Sequence, residues 1–401
     1  MNPGRLAAAR ALIAVEGGAH AEDVLAASAV PERDRALAWT LALGVLRRRG
    51  VIDAALGRHL RQPVERLDPP LRAALRVGAW ELGFGRARPD AVVHQAVEVA
   101  RASGGARGSG LVNAVLRRVA EAPPATDADP AVDLPPWLQA RLGPWTDWLR
   151  LCQAPAPTCA IMRTVEDLPP AGATPAPAVA GGRAVQGAWL LPGEGGAIPS
   201  REGFAEGRWW VMDPAACAVA DLAHEAAPGA PVLDACAAPG GKSFRLASRG
   251  HPVLAVDQSA ERLARVREGA QRLSLTVNTA VHDWSTGPHP DLARFPLVLV
   301  DAPCTGLGTI RRHPEIRWRR APSDPAAMAV RQRQILQAAA AHVAPGGALV
   351  YAVCSPLPEE GEGVIAGLRG WSVERAWASA PPAGDEDAFQ AFVLRAEEGR
   401  G

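Results

Sequence analysis

Apolar residues recur at three- and four-residue intervals from Ala7 to Val119, in stretches such as RALAWTLALGVLRRR, PLRAALRVGAWELGF and GLVNAVLRRV. That period lays an apolar stripe along a helix. Pro31, Pro69-Pro70, Pro89 and the Gly104-Gly105 region interrupt the pattern and predict about five or six helices, so residues 1–120 read as a small all-helical domain. Residues 121–135, EAPPATDADPAVDLP, have the composition of an exposed linker. Trp137, Trp145 and Trp148 then mark a compact apolar patch, followed by Pro/Ala/Gly-rich sequence with weak strand signals. Residues 136–205 read as a small α+β insert. From Trp209 onward, short apolar runs alternate with helical patterns, the signature of an open, mainly parallel α/β sheet. Strands are predicted at 231–235, 252–257, 276–282, 297–301 and 347–354, and helices at 215–226, 242–249, 260–273, 324–343 and 360–368. The fold class is therefore multidomain, α followed by α/β. In such sheets ligands sit at the carboxyl ends of the strands.

The unusual residues fall at those ends. The first predicted strand runs into VLDACAAPGGK, Val232 to Lys242, a tight turn before a helix. Glycine there lets the backbone approach a ligand, and the following helix amides can face a carboxylate. Asp257 ends the next strand where a nucleotide-binding fold places its ribose carboxylate. A glycine-rich turn alone names no ligand, and the turn has neither G-x-G-x-x-G nor a phosphate loop. Lys242 sharpens the picture, because it is the one lysine among 43 basic residues. A chain that uses arginine elsewhere has kept a compact amine on a flexible stem here.

Asp283 closes the third strand, the fourth runs into DAPC with Asp301 and Cys304, and Cys354 follows the fifth, three residues after the sole tyrosine, Tyr351. Two cysteines at the ends of neighbouring strands can face one pocket, although buried cysteine also serves as a small hydrophobe. A thiol, an acid and a nucleotide-like site together suit covalent catalysis. Carbon 5 of cytosine is a poor nucleophile until a thiolate adds at carbon 6 and makes the ring an enamine, and a thiolate is the soft nucleophile for that step.

Net charge is +1, but residues 1–120 carry 18 arginines against 11 acids. The clusters Arg47-Arg48-Arg49 and Arg117-Arg118 lie at helix ends, as solvated faces or as contacts to nucleic acid or protein. Six cysteines without close metal-like spacing fit a reducing compartment and no metal site. The N-terminal stretch, broken by Arg10 and Glu16, reads as an amphipathic helix rather than a signal peptide, and no apolar run is long enough to span a membrane.

Residues 232–242, 297–320 and 347–362 resemble the motifs of the S-adenosylmethionine-dependent RNA cytosine-5 methyltransferases, and residues 1–120 resemble the helical RNA-binding domain of the NusB antitermination factor. The combination is similar to the bacterial 16S ribosomal RNA methyltransferase family RsmB (Sun/Fmu). The resemblance implies a Rossmann-like class I methyltransferase domain over residues 206–401 behind a NusB-like bundle. It implies S-adenosylmethionine as cofactor, held by Cys236, Ala237, Ala238, Pro239, Gly240, Gly241 and Lys242 of the loop with Asp257, Arg262, Asp283 and Asp301. It implies Cys354 as nucleophile, Cys304 as the residue that helps release product, Asp301 at the target base and Lys242 near the reacting groups. The implied partner is RNA, 16S ribosomal RNA or a small-subunit assembly intermediate, for a cytoplasmic monomer with no membrane or metal partner. Transfer RNA as substrate, or a non-enzymatic assembly factor, are the alternatives.

The chain departs from the family pattern in places. Val353-Cys354-Ser355-Pro356 followed by Glu359-Glu360-Gly361-Glu362 replaces Thr-Cys-Ser with a downstream acid-asparagine pair. Met212-Asp213 replaces Gln-Asp, and Asp387-Ala388-Phe389-Gln390 replaces Asp-Gly-Phe-Phe. The stretch LGTIRRHPEIRWRR, Leu307 to Arg320, is strongly basic. Arg311, Arg312 and Arg317 are expected to hold phosphates there, and Trp318 to stack on a splayed base.

Overall fold

Proline at the first turn opens the helices Pro3–Glu16, Pro69–Phe84 and Pro89–Ala102, where its missing N–H costs no hydrogen bond and its fixed φ suits the helix. The computed structural model describes residues 1–179, 181–193, 197–382 and 384–397. It divides into two units: Met1–Pro155 with Ile310–Arg320, and Ala156–Thr309 with the residues from Ala321 on.

The first unit is helical. Ala21–Ala26, Glu32–Arg47, Arg49–Gly57 and Ser109–Glu121 join the three proline-opened helices around a core that includes Leu12, Leu41, Ile52, Leu75 and Leu116. Gly44 makes one helix contact possible, since a Cβ there would lie 2.5 Å from the Trp80 indole. The helices Pro136–Leu142 and Thr146–Leu151 also belong to this unit, so the division falls after residue 155 rather than at the expected insert.

The expected exposed linker is partly interior: Pro130, Asp133 and Leu134 are buried. Asp133 accounts for this, because its carboxylate pairs with Arg48 at 3.0 Å and accepts the Val51 amide at 3.2 Å. Arg47 and Arg48 are likewise buried, not solvated, whereas Arg117 and Arg118 are exposed.

The basic stretch after Cys304 corrects a second expectation. Arg317 is 1% exposed, and its guanidinium donates to the carbonyls of Arg47, Asp133, Cys152 and Ile310 at 3.1–3.5 Å. Trp318 Nε1 donates to Leu46 O at 2.7 Å, and the Arg49 guanidinium lies 4.7 Å from the ring centroid. Arg311 is buried and donates to Pro155 O, while Arg312 is half-buried. Arg311 and Arg317 thus complete the helical unit instead of lying open to phosphates, whereas Trp318 is half-buried. The crowding has an electrostatic signature: burial, then the charges of Arg317 and Arg311, pulls the Arg47 pKa down to about 10.

The second unit holds two sheets. β1 (Cys159–Met162), β2 (Thr174–Pro175), β3 (Ala188–Leu190) and β4 (Trp209–Val211) form an antiparallel sheet in the order β2-β3-β1-β4. The larger sheet comprises β5 (Val232–Asp234), β6 (Val253–Asp257), β7 (Val277–Val281), β8 (Phe295–Asp301), β9 (Val343–Val353), β10 (Trp371–Ala378) and β11 (Gln390–Ala396). Its order is β10-β11-β9-β8-β5-β6-β7. The five strands expected from the sequence are the parallel ones. Absent from the sequence reading are β11, which pairs antiparallel with β9, and β10, which pairs antiparallel with β11. The helices Pro214–Ala226, Gly241–Ser248, Ala260–Arg272 and Asp324–Ala340 match the predicted ones within a few residues, but only Glu362–Ile365 of the span 360–368 is α-helical. No helix among the described residues is long and apolar enough to cross a membrane.

Replacing Arg317 with alanine strands four buried carbonyls, which predicts a loss of about 2–4 kcal/mol in urea denaturation. Arg118→Ala, on an exposed helix face, should change the same measurement by less than about 0.5 kcal/mol.

Candidate active site

β5 lies between β6 on one side and β8 on the other, so the chain departs from it in opposite directions and leaves a crevice at its carboxyl end. The loop after β5 is fixed by its backbone: Ala235 N donates to Leu299 O at 2.8 Å and Ala237 N to Val256 O at 2.9 Å. Gly240 then takes φ 115° as cap of the helix Gly241–Ser248. A Cβ at Gly240 would lie 2.5 Å from the Phe244 ring, so both conformation and space require glycine.

On one side of this loop is a cavity of about 220 Å³ bordered by Asp257, Asp283, Trp284, Pro303, Cys304 and Cys354. Asp257, at the end of β6, is oriented by amide hydrogen bonds from Ala238 at 3.3 Å and Ser259 at 3.0 Å. Arg262 stands beside it at 3.5 Å and donates to Ala238 O at 2.6 Å. Hydrogen bonds from the Ser285 hydroxyl and amide keep the Asp283 carboxyl below its usual pKa. Trp284 donates to Ala235 O at 2.7 Å and is itself buried. Two carboxylates beside an aromatic wall fit a nucleoside, one acid for ribose hydroxyls and one for the base.

A second cavity, of about 390 Å³, adjoins the other side of the loop and meets Ala237, Pro239, Gly241, Lys242 and Asp234; Cys236, Ala238 and Asp301 border both. Lys242 is buried, and its ammonium lies 2.5 Å from Asp301 Oδ2 and 5.1 Å from the Phe389 ring centroid. Burial works against the charged amine, but Asp301, with smaller contributions from Cys354 and Asp234, raises its pKa above the ordinary value. The loop residues, the acids and Lys242 singled out in the sequence therefore border one pair of adjoining cavities. Gly240 alone among them shapes the loop without facing either.

β8 and β9 pair in parallel with Asp301 opposite Ala352, and the loops beyond them carry Cys304 and Cys354. Their sulfurs lie 3.1 Å apart, and both residues are partly exposed. The hydrogen bond with Cys354, followed by burial and the charge of Cys354, pushes the Cys304 thiol well above its usual pKa.

The chain is similar to known proteins over most of its length. Residues 222–372 match the family described as 16S rRNA methyltransferase RsmB/F, and residues 2–121 match the NusB family. Ribosomal RNA small subunit methyltransferase B of Thermus thermophilus is 39% identical over 90% of this chain and 86% of its own length. The Pseudomonas putida protein of the same name is 38% identical over 91% and 88%. The chain belongs to the RsmB/F family. The crystal structure of PH0851, at 21% identity, shares the fold over 98% of this chain and 99% of that one with a TM-score of 0.76. The N-terminal unit is NusB-like, the C-terminal sheet is the Rossmann-like sheet of a class I methyltransferase, and the cofactor is S-adenosylmethionine.

Within the RsmB/F pattern, two departures prove to be neighbours. Gly361 lies in the segment Glu359-Glu360-Gly361-Glu362, and a Cβ there would lie 2.2 Å from Gln390 Oε1. Gln390, where phenylalanine is usual, donates to Ser355 O at 2.7 Å and Leu357 O at 3.0 Å. Sequence reasoning also missed Trp284 and Asp234 as cavity residues. The signal for each was its position beside a strand end, in HDW and VLD.

Asp234 is 1% exposed, and its Oδ2 accepts the Ser243 hydroxyl at 2.6 Å. Burial pushes its pKa up to about 7. An acid whose folded pKa lies above its unfolded one favours folding less as pH rises between the two values. Asp234→Asn should therefore gain stability relative to the parent from about pH 4 to about pH 8, by on the order of 4 kcal/mol at the alkaline end. Thermal melts of both proteins across that range provide the measurement.

Proposed function

We propose that this RsmB/F protein methylates carbon 5 of a cytosine in RNA, with 16S ribosomal RNA as substrate, through a covalent bond to Cys354. The observation that carries the reading is the contact of two thiols beside the Lys242–Asp301 pair at the mouth of the nucleoside cavity. One sulfur serves as nucleophile and the second manages the proton. The resemblance of residues 347–362 to the cytosine-5 methyltransferase motifs gives the nucleophile's part to Cys354, and Cys304 lies within reach of it as the second thiol.

S-adenosylmethionine supplies an electrophilic methyl group. Asp257 is placed for its ribose, Asp283 for the adenine side, and the loop Cys236 to Lys242 for the remainder. Lys242 holds Asp301 beside the cavity, where the carboxylate accepts from the exocyclic amine of the base. Addition of Cys354 Sγ to carbon 6 makes carbon 5 nucleophilic. After methylation, loss of the carbon 5 proton and cleavage of the sulfur–carbon 6 bond restore the ring. While Cys354 is bonded to carbon, the interactions that hold the Cys304 proton are removed, so Cys304 ionises more easily at the stage that needs a base. A cytosine within a duplex must leave its stack to reach the sulfur.

With labelled cofactor and 16S ribosomal RNA, Cys354→Ala should abolish methyl transfer. Cys304→Ala should leave RNA attached to protein through denaturing electrophoresis. Transfer by Cys354→Ala together with loss of transfer in Cys304→Ala would exchange the roles. Mapping of 5-methylcytosine in cells with and without the gene decides the substrate, and a mark lost from transfer RNA instead would move it there.

A further inference from the structure

Beneath the two thiols lies a polar cluster that the mechanism does not use. Glu360 is fully buried. Its Oε1 accepts the Thr305 amide at 2.7 Å and Gln332 Nε2 at 3.1 Å, and its Oε2 accepts the hydroxyls of Thr305 and Ser355, each at 2.5 Å. Thr305 and Ser355 are the residues immediately after Cys304 and Cys354. One carboxylate therefore holds both cysteine loops by their next residues.

The surroundings tie the same two loops. Gln332 also donates to Pro303 O at 3.0 Å, just before Cys304. The sole tyrosine, Tyr351 of β9, donates its hydroxyl to Glu360 O at 2.6 Å. Gly308 N donates to Cys354 O at 3.0 Å, and Gln390 holds the Ser355 and Leu357 carbonyls from β11. A buried carboxylate needs donors to offset its lost hydration, and here most of them come from the segments that position sulfur.

We propose that Glu360 is a positioning residue for methyl transfer: by clasping Thr305 and Ser355 it sets the spacing of Cys304 and Cys354. The inference rests on the function proposed above for those cysteines. It adds that this spacing is imposed by a side chain touching neither cofactor nor base. Parallel pairing brings the strand ends together, but Cys304 lies three residues and Cys354 two beyond the last β8–β9 pair, and the pairing of Val353 with Gln390 ties Cys354 to β11 rather than to the Cys304 loop. Without Glu360, the loops would keep their approach and lose their register.

The test uses the full-length protein with Glu360→Ala and Glu360→Gln. The readouts are thermal melting, kcat and KM for S-adenosylmethionine in RNA methylation, and the rate at which diamide couples Cys304 to Cys354. In that coupling two thiols become one disulfide while diamide is reduced to its hydrazine, and peptide mapping identifies the pair. Glu360→Ala should remain folded at the assay temperature with KM within about twofold, and should lose about 100-fold in kcat, the scale of a misplacement near 1 Å. Thiol coupling should slow by about tenfold or more as the sulfurs lose their alignment. Glu360→Gln, which keeps an acceptor for the Thr305 amide and an NH2 that can donate to the two hydroxyls, should recover most of both rates.

Should Glu360→Ala fail to fold, Thr305→Val, of similar shape and lacking only the hydroxyl, carries the same expectation at about a threefold reduction in both rates. Unchanged thiol coupling and kcat in a folded Glu360→Ala protein would overturn the proposal. So would a loss of kcat matched by an equal rise in KM with coupling intact. Coupling requires no methyl transfer. If the parent protein fails to methylate cytosine, the proposed function falls, while coupling still reports whether Glu360 sets the spacing.

Discussion

The parallel pairing of β8 with β9 is the constraint on which the site depends. With Asp301 opposite Ala352, the residues just beyond the two strands leave the sheet side by side. A slip of one residue would turn the alternating side chains of either strand to the other face. The interior runs of both strands are buried and apolar, so that slip would also break the core on both sides of the sheet. Chemistry and folding are thus enforced by the same register.

The strand ends were legible because parallel strands buried on both faces show up as short apolar runs, and because a chemically distinctive residue follows each: Asp257, Asp283, Asp301, Cys304 and Cys354. The helical half was legible from its period. β10 was less so, because Trp371–Ala378 is largely exposed and has no apolar run to announce it. The stretch 307–320 misled for a physical reason. Arginine spacing reports charge but not what lies opposite, and three of the four carbonyls around Arg317 come from residues far away in sequence. Glu360 belongs to the same class: in PLPEEGE it resembles any exposed acid, and only the fold brings Thr305 and Gln332 to it.

The unequal use of lysine and arginine follows the environments in the structure. Arg317 spans four carbonyls with a planar fork, a task for which an ammonium has neither the reach nor the number of donors. Lys242 does the opposite. It enters a buried site between a carboxylate and an aromatic ring, where a compact ammonium suffices to pair with a single acid.

The meeting of Gly361 and Gln390 couples two positions that lie far apart in the chain. A Cβ at 361 would come within 2.2 Å of Gln390 Oε1, so any larger residue there has to push the amide away from the Ser355 and Leu357 carbonyls that it holds. Shortening residue 390 instead leaves those carbonyls without their donor and a vacant space beside the glycine. Each position therefore limits what the other can become, and the two tolerate change together more readily than singly.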